Sequence, residues 1–204
     1  MKDINATVIV DLSKNEAEIL EEIHKDARWG INRAKKEELI VEEASSEEDW
    51  REFNKIYTAT QLAGENIPAS LEELKKKTRI FFVCRKEGKI IAGAGIWFSD
   101  KYNEHIPRLY FNASLKDYQK FQPNNLLYWH CILWCKENGY LQFDLGGWQI
   151  NAHGHLEGIN KFKEKWGEIV YFEKEYSFVK AIGRKIVRNS AFFRFIADKI
   201  KGRR

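Results

Sequence analysis

Gly139 to Gly167 reads G-Y-L-Q-F-D-L-G-G-W-Q-I-N-A-H-G-H-L-E-G-I-N-K-F-K-E-K-W-G. Leu141–Leu145 is a short, mostly apolar run of strand type that carries one acid, Asp144, and is followed at once by Gly146 and Gly147. A polar residue leading out of a strand into paired glycines marks backbone that turns sharply or lies against a ligand. A loop rich in His and Gly follows, and then Ile159–Trp166 takes a helical pattern that contains Phe162-Lys163 and is closed by Gly167. This strand–loop–helix unit is where the chain points to chemistry and not to folding alone.

Working outward, Pro123 to Asn138 reads as a helix with an apolar face of Leu126, Leu127, Ile132 and Leu133, stopped by Gly139. Before it come a strand at Arg108–Ala113 and a hairpin, Ile80–Arg85 with Lys89–Phe98, joined across Glu87-Gly88. Nearer the N-terminus, Ala6–Leu12 is a β-branched strand. From Lys14 onward Ile19, Ile23, Ala27, Ile31 and Ala34 form one stripe at helical spacing, predicting a single helix that Gly30 loosens or kinks. Leu39–Val41 is a strand, and Ser46-x-x-Asp49 opens a helix from Glu47 to Leu62 that buries Trp50, Phe53, Ile56 and Tyr57. Leu71–Lys77 is a further short helix, and Ile169–Tyr171 and Glu175–Val179 are the last strands. The expected fold class is α/β (α+β): a mixed, largely antiparallel sheet flanked by helices over residues 1–179, followed by a basic amphipathic helix over 180–204.

Composition narrows the class. Seven Trp, eight Tyr and thirteen Phe with only three prolines describe a globular chain and exclude a disordered one. No run approaches a membrane span and Met1-Lys2-Asp3 lacks a signal-peptide core, so a cytoplasmic location is expected. Cys84, Cys131 and Cys135 are odd in number, and the last two are spaced four apart in an apolar helical pattern, which reads as buried free thiols. Cys131, Cys135, His153 and His155 match a zinc site loosely, and no metal is expected. Nine Lys or Arg against one Asp give Lys180–Arg204 a charge of +8, leaving −4 on the residues before it and a total of +4. The tail stripe of Ile182, Ile186, Phe193, Ile196 and Ile200 beside those cations fits an anionic membrane surface, an RNA or a helix packed on the domain.

The order D-L-G-G, then F-K, then G, preceded by V-D-L-S with K-D-A-R-W-G-I-N-R-A-K-K-E-E-L and by P-N-N-L-L-Y-W, resembles the acyltransferase half of the FemAB family. These are peptidoglycan-bridge aminoacyltransferases built on the GNAT acetyltransferase fold. The resemblance runs to Val179 and implies a GNAT-like sheet and aminoacyl transfer onto an amine of a lipid-linked or UDP-linked muropeptide, at the inner membrane face. Family members have two GNAT-like halves and this chain matches one, so the acceptor does not carry over with the fold. Phe162-Lys163 matches the family's Phe-Lys pair, which implies that Lys163 lies at the acyl-transfer site.

The residues separate the possible donors. A GNAT enzyme using acetyl-CoA normally cradles the pyrophosphate on backbone N–H groups of a glycine-rich loop before the central helix. Here the corresponding Lys116–Asn125 contains no glycine, and Pro123 removes a donor, which favours aminoacyl-tRNA over acetyl-CoA and no bound cofactor. Lys163 is the candidate cation for the developing oxyanion; its bland reading is one solvated charge in K-F-K-E-K. Asp144 either orients or deprotonates the attacking amine, or simply caps the Gly146-Gly147 turn. Trp148, Gln149, Phe162 and Tyr110 are candidate substrate-lining residues, with burial as the alternative for Trp148 and Tyr110. Arg28, Asn32 and Lys36 share a helix face; the resemblance implies that it contacts the acceptor's phosphates or sugar, for which Arg is suited, and the alternative is a charged surface. The competing function of another class is a non-catalytic module that binds RNA or membrane.

Overall fold

The N-terminal strand lies deep in the sheet. The computed structural model describes residues 4–98 and 106–173. In it β1 (Ile4–Asp11) pairs antiparallel with β6 (Gln142–Trp148) on one side and β7 (Glu168–Glu173) on the other. Ala6, Thr7, Val8, Ile9 and Val10 are all buried, as expected for a β-branched run covered on both faces. The other strands are β2 (Ile40–Glu43), β3 (Ile80–Lys86), β4 (Lys89–Phe98) and β5 (Pro107–Ser114). The seven run in the order β2-β3-β4-β5-β6-β1-β7, and every registered pairing is antiparallel except β5 with β6.

Helices cover both faces. On one lie α1 (Glu16–Glu22), α2 (Lys25–Lys36) and α5 (Pro123–Glu137), over a core that includes Ile19, Ile31, Phe82, Leu127, Ile132, Phe143 and Trp166. On the other, α3 (Glu47–Ala63) and α4 (Leu71–Lys77) cover an aromatic cluster of Trp50, Phe53, Tyr57, Phe81 and Phe111. Phe53 and Phe111 stack with centroids 5.2 Å apart and Trp50 lies 4.2 Å from Phe81. The helix α6 (His155–Glu164) joins β6 to β7. The expected mixed, mostly antiparallel sheet with flanking helices is the observed one. The C-terminal helix at 180–204 and the strand at 175–179 lie outside the described residues.

Two local expectations are corrected. The single N-terminal helix is two, because Ile23 is extended (ψ 150°) and His24 caps α2, its Nδ1 accepting from the Asp26 amide at 3.2 Å. The His24 amide donates to the Lys165 carbonyl at 2.8 Å, a tertiary bond that a straight helix could not make. Between β5 and α5, Lys116–Phe121 forms a 3₁₀ helix that ends at Gln122 with φ 62°. Gly30 neither kinks nor loosens α2. It lets α2 cross α5 closely, since a Cβ there would lie 2.5 Å from the Asn125 side chain.

That contact sets a measurable balance. In Gly30→Ala the gain in helix propensity, about 1 kcal/mol, opposes an overpacking cost of about 1–3 kcal/mol. Asn125 is buried and donates to Gln122 Oε1 at 2.8 Å, so it yields poorly. A net loss of stability is expected as a lower urea midpoint; a raised midpoint would show that Asn125 swings aside freely.

Candidate active site

Asp144 occupies the middle of β6 and is 1 % exposed. A carboxylate taken out of water costs several kcal/mol unless it is paired and hydrogen-bonded. Its partners come from three places. Arg108 Nε of β5 lies 2.7 Å from Oδ2. Oδ1 accepts from the Gly146 amide at 2.8 Å and from the Thr7 hydroxyl of β1. The parallel β5–β6 ladder registers at one pair, Arg108 with Asp144, so this ion pair sits where those two strands meet.

Gly146 explains how a residue on a strand can hold its own carboxylate. Between the pairs Thr7–Gly147 and Ile9–Asp144, β6 carries one residue more than β1, and Gly146 has φ +80°. This is a β-bulge with glycine in the left-handed region. It aims the Gly146 N–H back at Asp144 and presents the Gly147 carbonyl to α6. The two glycines therefore make a bulge within a continuing strand, not the end of one; β6 runs to Trp148.

Helix α6 is fastened to that bulge by side chains at i, i+3 and i+4 spacing. Asn160, buried, brackets Gln149: its Oδ1 accepts from the Gln149 amide at 3.0 Å and its Nδ2 donates to the Gln149 carbonyl at 2.7 Å. Lys163 Nζ donates to the Gly147 carbonyl at 2.9 Å, and Glu164 accepts from Trp148 Nε1 at 2.7 Å. Phe162 packs edge-on against Tyr128 of α5 at 4.9 Å, which fixes the rotation of α6 on the core.

The Lys163 ammonium is half-buried against a neutral carbonyl. Loss of hydration brings its pKa down to about 8; the Asp144 charge opposes this fall and the Arg108 charge adds to it.

The structure gathers Asp144, Trp148, Gln149, Phe162 and Lys163 at the junction of β6 with α6. It places the remaining candidates elsewhere. Arg28 Nη1 donates to the carbonyls of Glu21 at 2.7 Å, Ile23 at 2.6 Å and Leu20 at 3.3 Å, satisfying the C-terminal end of α1. Asn32 and Lys36 are exposed, and Lys36 lies twelve residues beyond His24, the residue through which α2 touches the end of α6. At helical rise that is roughly 18 Å along the axis. Tyr110 packs 5.9 Å from Trp97, with Lys77 Nζ 5.7 Å from its ring.

Sequence reasoning missed Arg108, Thr7 and Asn160. Thr7 reads as one more β-branched strand residue, and Arg108 is paired to Asp144 only through a strand register 36 positions apart. Asn160 sits on the helical pattern with no signal of its own. The cysteines are buried and free, as expected, and burial pushes the Cys84 thiol up to about 12. Among the described residues no cluster of three metal-ligating groups occurs, and no helix is long and apolar enough to cross a membrane.

A βαβ crossover, β5–α5–β6, inside an otherwise antiparallel sheet is the layout of the GNAT fold, and comparison with known proteins agrees. The Acetyltransferase (GNAT) domain family matches residues 24–164, and the chain belongs to that family. It is similar to the lipid II:glycine glycyltransferase of Staphylococcus saprophyticus, 26 % identical over 126 residues, a match covering 61 % of this chain and 28 % of that protein. The crystal structure of FemX superposes with a TM-score of 0.70 at 15 % identity, covering 89 % of this chain and 63 % of FemX. The structure of L-PGS from Bacillus licheniformis superposes at 0.57 and 19 % identity, covering 88 % of this chain and 64 % of that one. These two likenesses are of fold. The chain thus spans under two thirds of each relative.

Two measurements probe the site. Asp144→Asn removes the buried carboxylate that meets Arg108 Nε, the Thr7 hydroxyl and the Gly146 amide, and is expected to cost about 2–4 kcal/mol in denaturant unfolding, discounted because the guanidinium is partly solvated. It should also lower the Lys163 pKa below about 8, because the removed charge was the one raising it. The native lysine holds its proton less tightly than the unfolded one. Wild-type stability relative to Lys163→Met should therefore rise between pH 8 and 10.5. A pH-independent difference would mean that Lys163 is fully solvated.

Proposed function

We propose that this domain is the acyl-transfer half of an aminoacyltransferase that moves an amino acid from aminoacyl-tRNA onto an amine of a cell-wall precursor such as a lipid-linked muropeptide. The observation that carries the reading is Lys163: a half-buried cation fixed on the Gly147 carbonyl beside the β5–β6 junction. In aminoacyl transfer an amine attacks the ester carbonyl, and negative charge develops on the carbonyl oxygen. A preorganised cation aimed at that oxygen lowers the barrier by several kcal/mol. Lys163 is the electrostatic catalyst in this reading, Asp144 the anchor of the bulge that presents it, and Trp148, Gln149 and Phe162 the walls. The likeness to a lipid II:glycine glycyltransferase supports an amine of a muropeptide as acceptor.

The segment before α5 supports this choice of donor. Where a coenzyme cradle needs free backbone amides, the 3₁₀ helix fills the connection, Pro123 opens α5, and the Asn125 amide donates to the Gln122 carbonyl at 3.1 Å. Asn124 is tied to Ser114 at 3.1 Å and to Asn112 at 3.1 Å. This favours a donor other than a pyrophosphate-anchored coenzyme. The second reading is an acetyl-CoA-dependent N-acyltransferase, favoured by the family match itself. The segment Lys180–Arg204, with its charge of +8, would bring the domain to an anionic membrane.

Radiolabelled glycyl-tRNA and radiolabelled acetyl-CoA, each offered with lipid II, separate the two donors. Label is expected to pass from the tRNA, with Lys163→Ala reducing the rate by about 10²–10³; passage from acetyl-CoA alone would establish the second reading. Truncation after Val179 should abolish sedimentation with anionic vesicles and leave the unfolding transition in place. Retained sedimentation would assign membrane contact to the domain itself.

A further inference from the structure

We propose that Arg108 is a positioning residue for acyl transfer: by pairing with Asp144 it locks the Gly146–Gly147 bulge and leaves the Lys163 ammonium on the Gly147 carbonyl dipole and not on the carboxylate. This rests on the reading of Lys163 as the cation of the acyl-transfer site. Each link is a short contact. Arg108 Nε reaches Asp144 Oδ2 at 2.7 Å, Asp144 Oδ1 accepts from the Gly146 amide at 2.8 Å, and the Gly147 carbonyl accepts from Lys163 Nζ at 2.9 Å. Thr7 of β1 holds the same Oδ1, so the bulge is gripped from both neighbouring strands. A Cβ on Gly146 would lie 3.6 Å from Lys163 Nζ and 3.4 Å from the Leu109 carbonyl, which places the lysine head directly over this junction.

The consequence is a division of charge. Asp144 could neutralise either cation, and the geometry gives it to Arg108 by direct contact. The groups that act on Lys163 are Asp144 from β6 and Arg108 from β5. On α6 itself Lys161 is paired with Glu157 and Glu164 accepts from Trp148, while Lys165 pairs with Asp26 of α2 at 3.4 Å. Tyr128 of α5 faces Phe162, and burial pushes its hydroxyl upward, so it stays neutral. Removing the Arg108 charge would free Asp144 to act on Lys163, and both changes raise the lysine.

Competitive labelling with trace acetic anhydride across a pH series, read by mass spectrometry, follows Lys163 without any assumption about substrates. In wild type its half-labelling point is expected at about 8. Arg108→Gln should move it upward by about one pH unit, whereas Arg108→Lys, which retains a cation, should stay near wild type. Thr7→Val keeps both charges and gives a second variant should Arg108→Gln fold poorly; it is expected to broaden the Lys163 labelling rates by at least about twofold through a looser bulge. An unmoved Lys163 titration in folded Arg108→Gln would overturn the proposal. If the titration shifts and none of the variants alters glycyl transfer, the positioning geometry holds and the functional reading of Lys163 fails instead.

Discussion

The buried carboxylate of Asp144 is the constraint on which the rest of the site depends. It lies in the centre of a seven-stranded sheet, where an unpaired charge would be costly enough to unfold a marginally stable domain. Satisfying it takes hydrogen-bond donors from β1 and from its own strand and the Arg108 charge from β5. Each partner fixes something else. Thr7 sets the depth of β1, Arg108 sets the register of the parallel pair, and the Gly146 amide requires the bulge.

Topology turns that local demand into a site. Within an antiparallel sheet, β5 and β6 alone run parallel, and parallel neighbours need a crossover, here the 3₁₀ helix and α5. Ligands of α/β sheets favour the region beyond the carboxyl ends of strands where the order of connection changes. The bulge in β6 and the second half of α6 occupy that end. Asn160, Lys163 and Glu164 then pin α6 across it, so the lysine is placed by a helix and not by a mobile loop.

Much of this was legible in the sequence. Alternation and β-branching gave the strands, helical spacing the helices, and Glu87-Gly88 the hairpin, whose two residues take φ 51° and 80°. D-L-G-G and F-K were close enough along the chain to be read as one unit. The break at Ile23–His24 was invisible because the apolar stripe continues through it; what ends α1 is a tertiary hydrogen bond to Lys165. Arg108 was invisible for a related reason. A charged residue at the start of a strand usually faces water, and only the parallel register reveals its carboxylate. Arg28 went the other way. Its spacing with Asn32 and Lys36 suggested a binding face, whereas in the structure its Nη1 donates to the carbonyls at the end of α1.

The three charges of the site also bear on what Lys163 can do. A lysine paired directly with a carboxylate has little field left for a reacting carbonyl, because the two charges cancel over a few ångströms. At this junction the carboxylate is contacted by Arg108, and among the described residues the lysine donates to a peptide oxygen. The set of Asp144, Arg108 and Lys163 carries a net +1, and the direct contact of Asp144 with Arg108 leaves that excess on Lys163. With a pKa of about 8, Lys163 is roughly nine-tenths charged at neutral pH. Its value is low because the environment hydrates the ammonium poorly. The same poor hydration strengthens its attraction for an oxyanion that forms beside it, since few waters compete for the charge. Depressed basicity and electrostatic power thus share one cause, and the bulge around Asp144 maintains both.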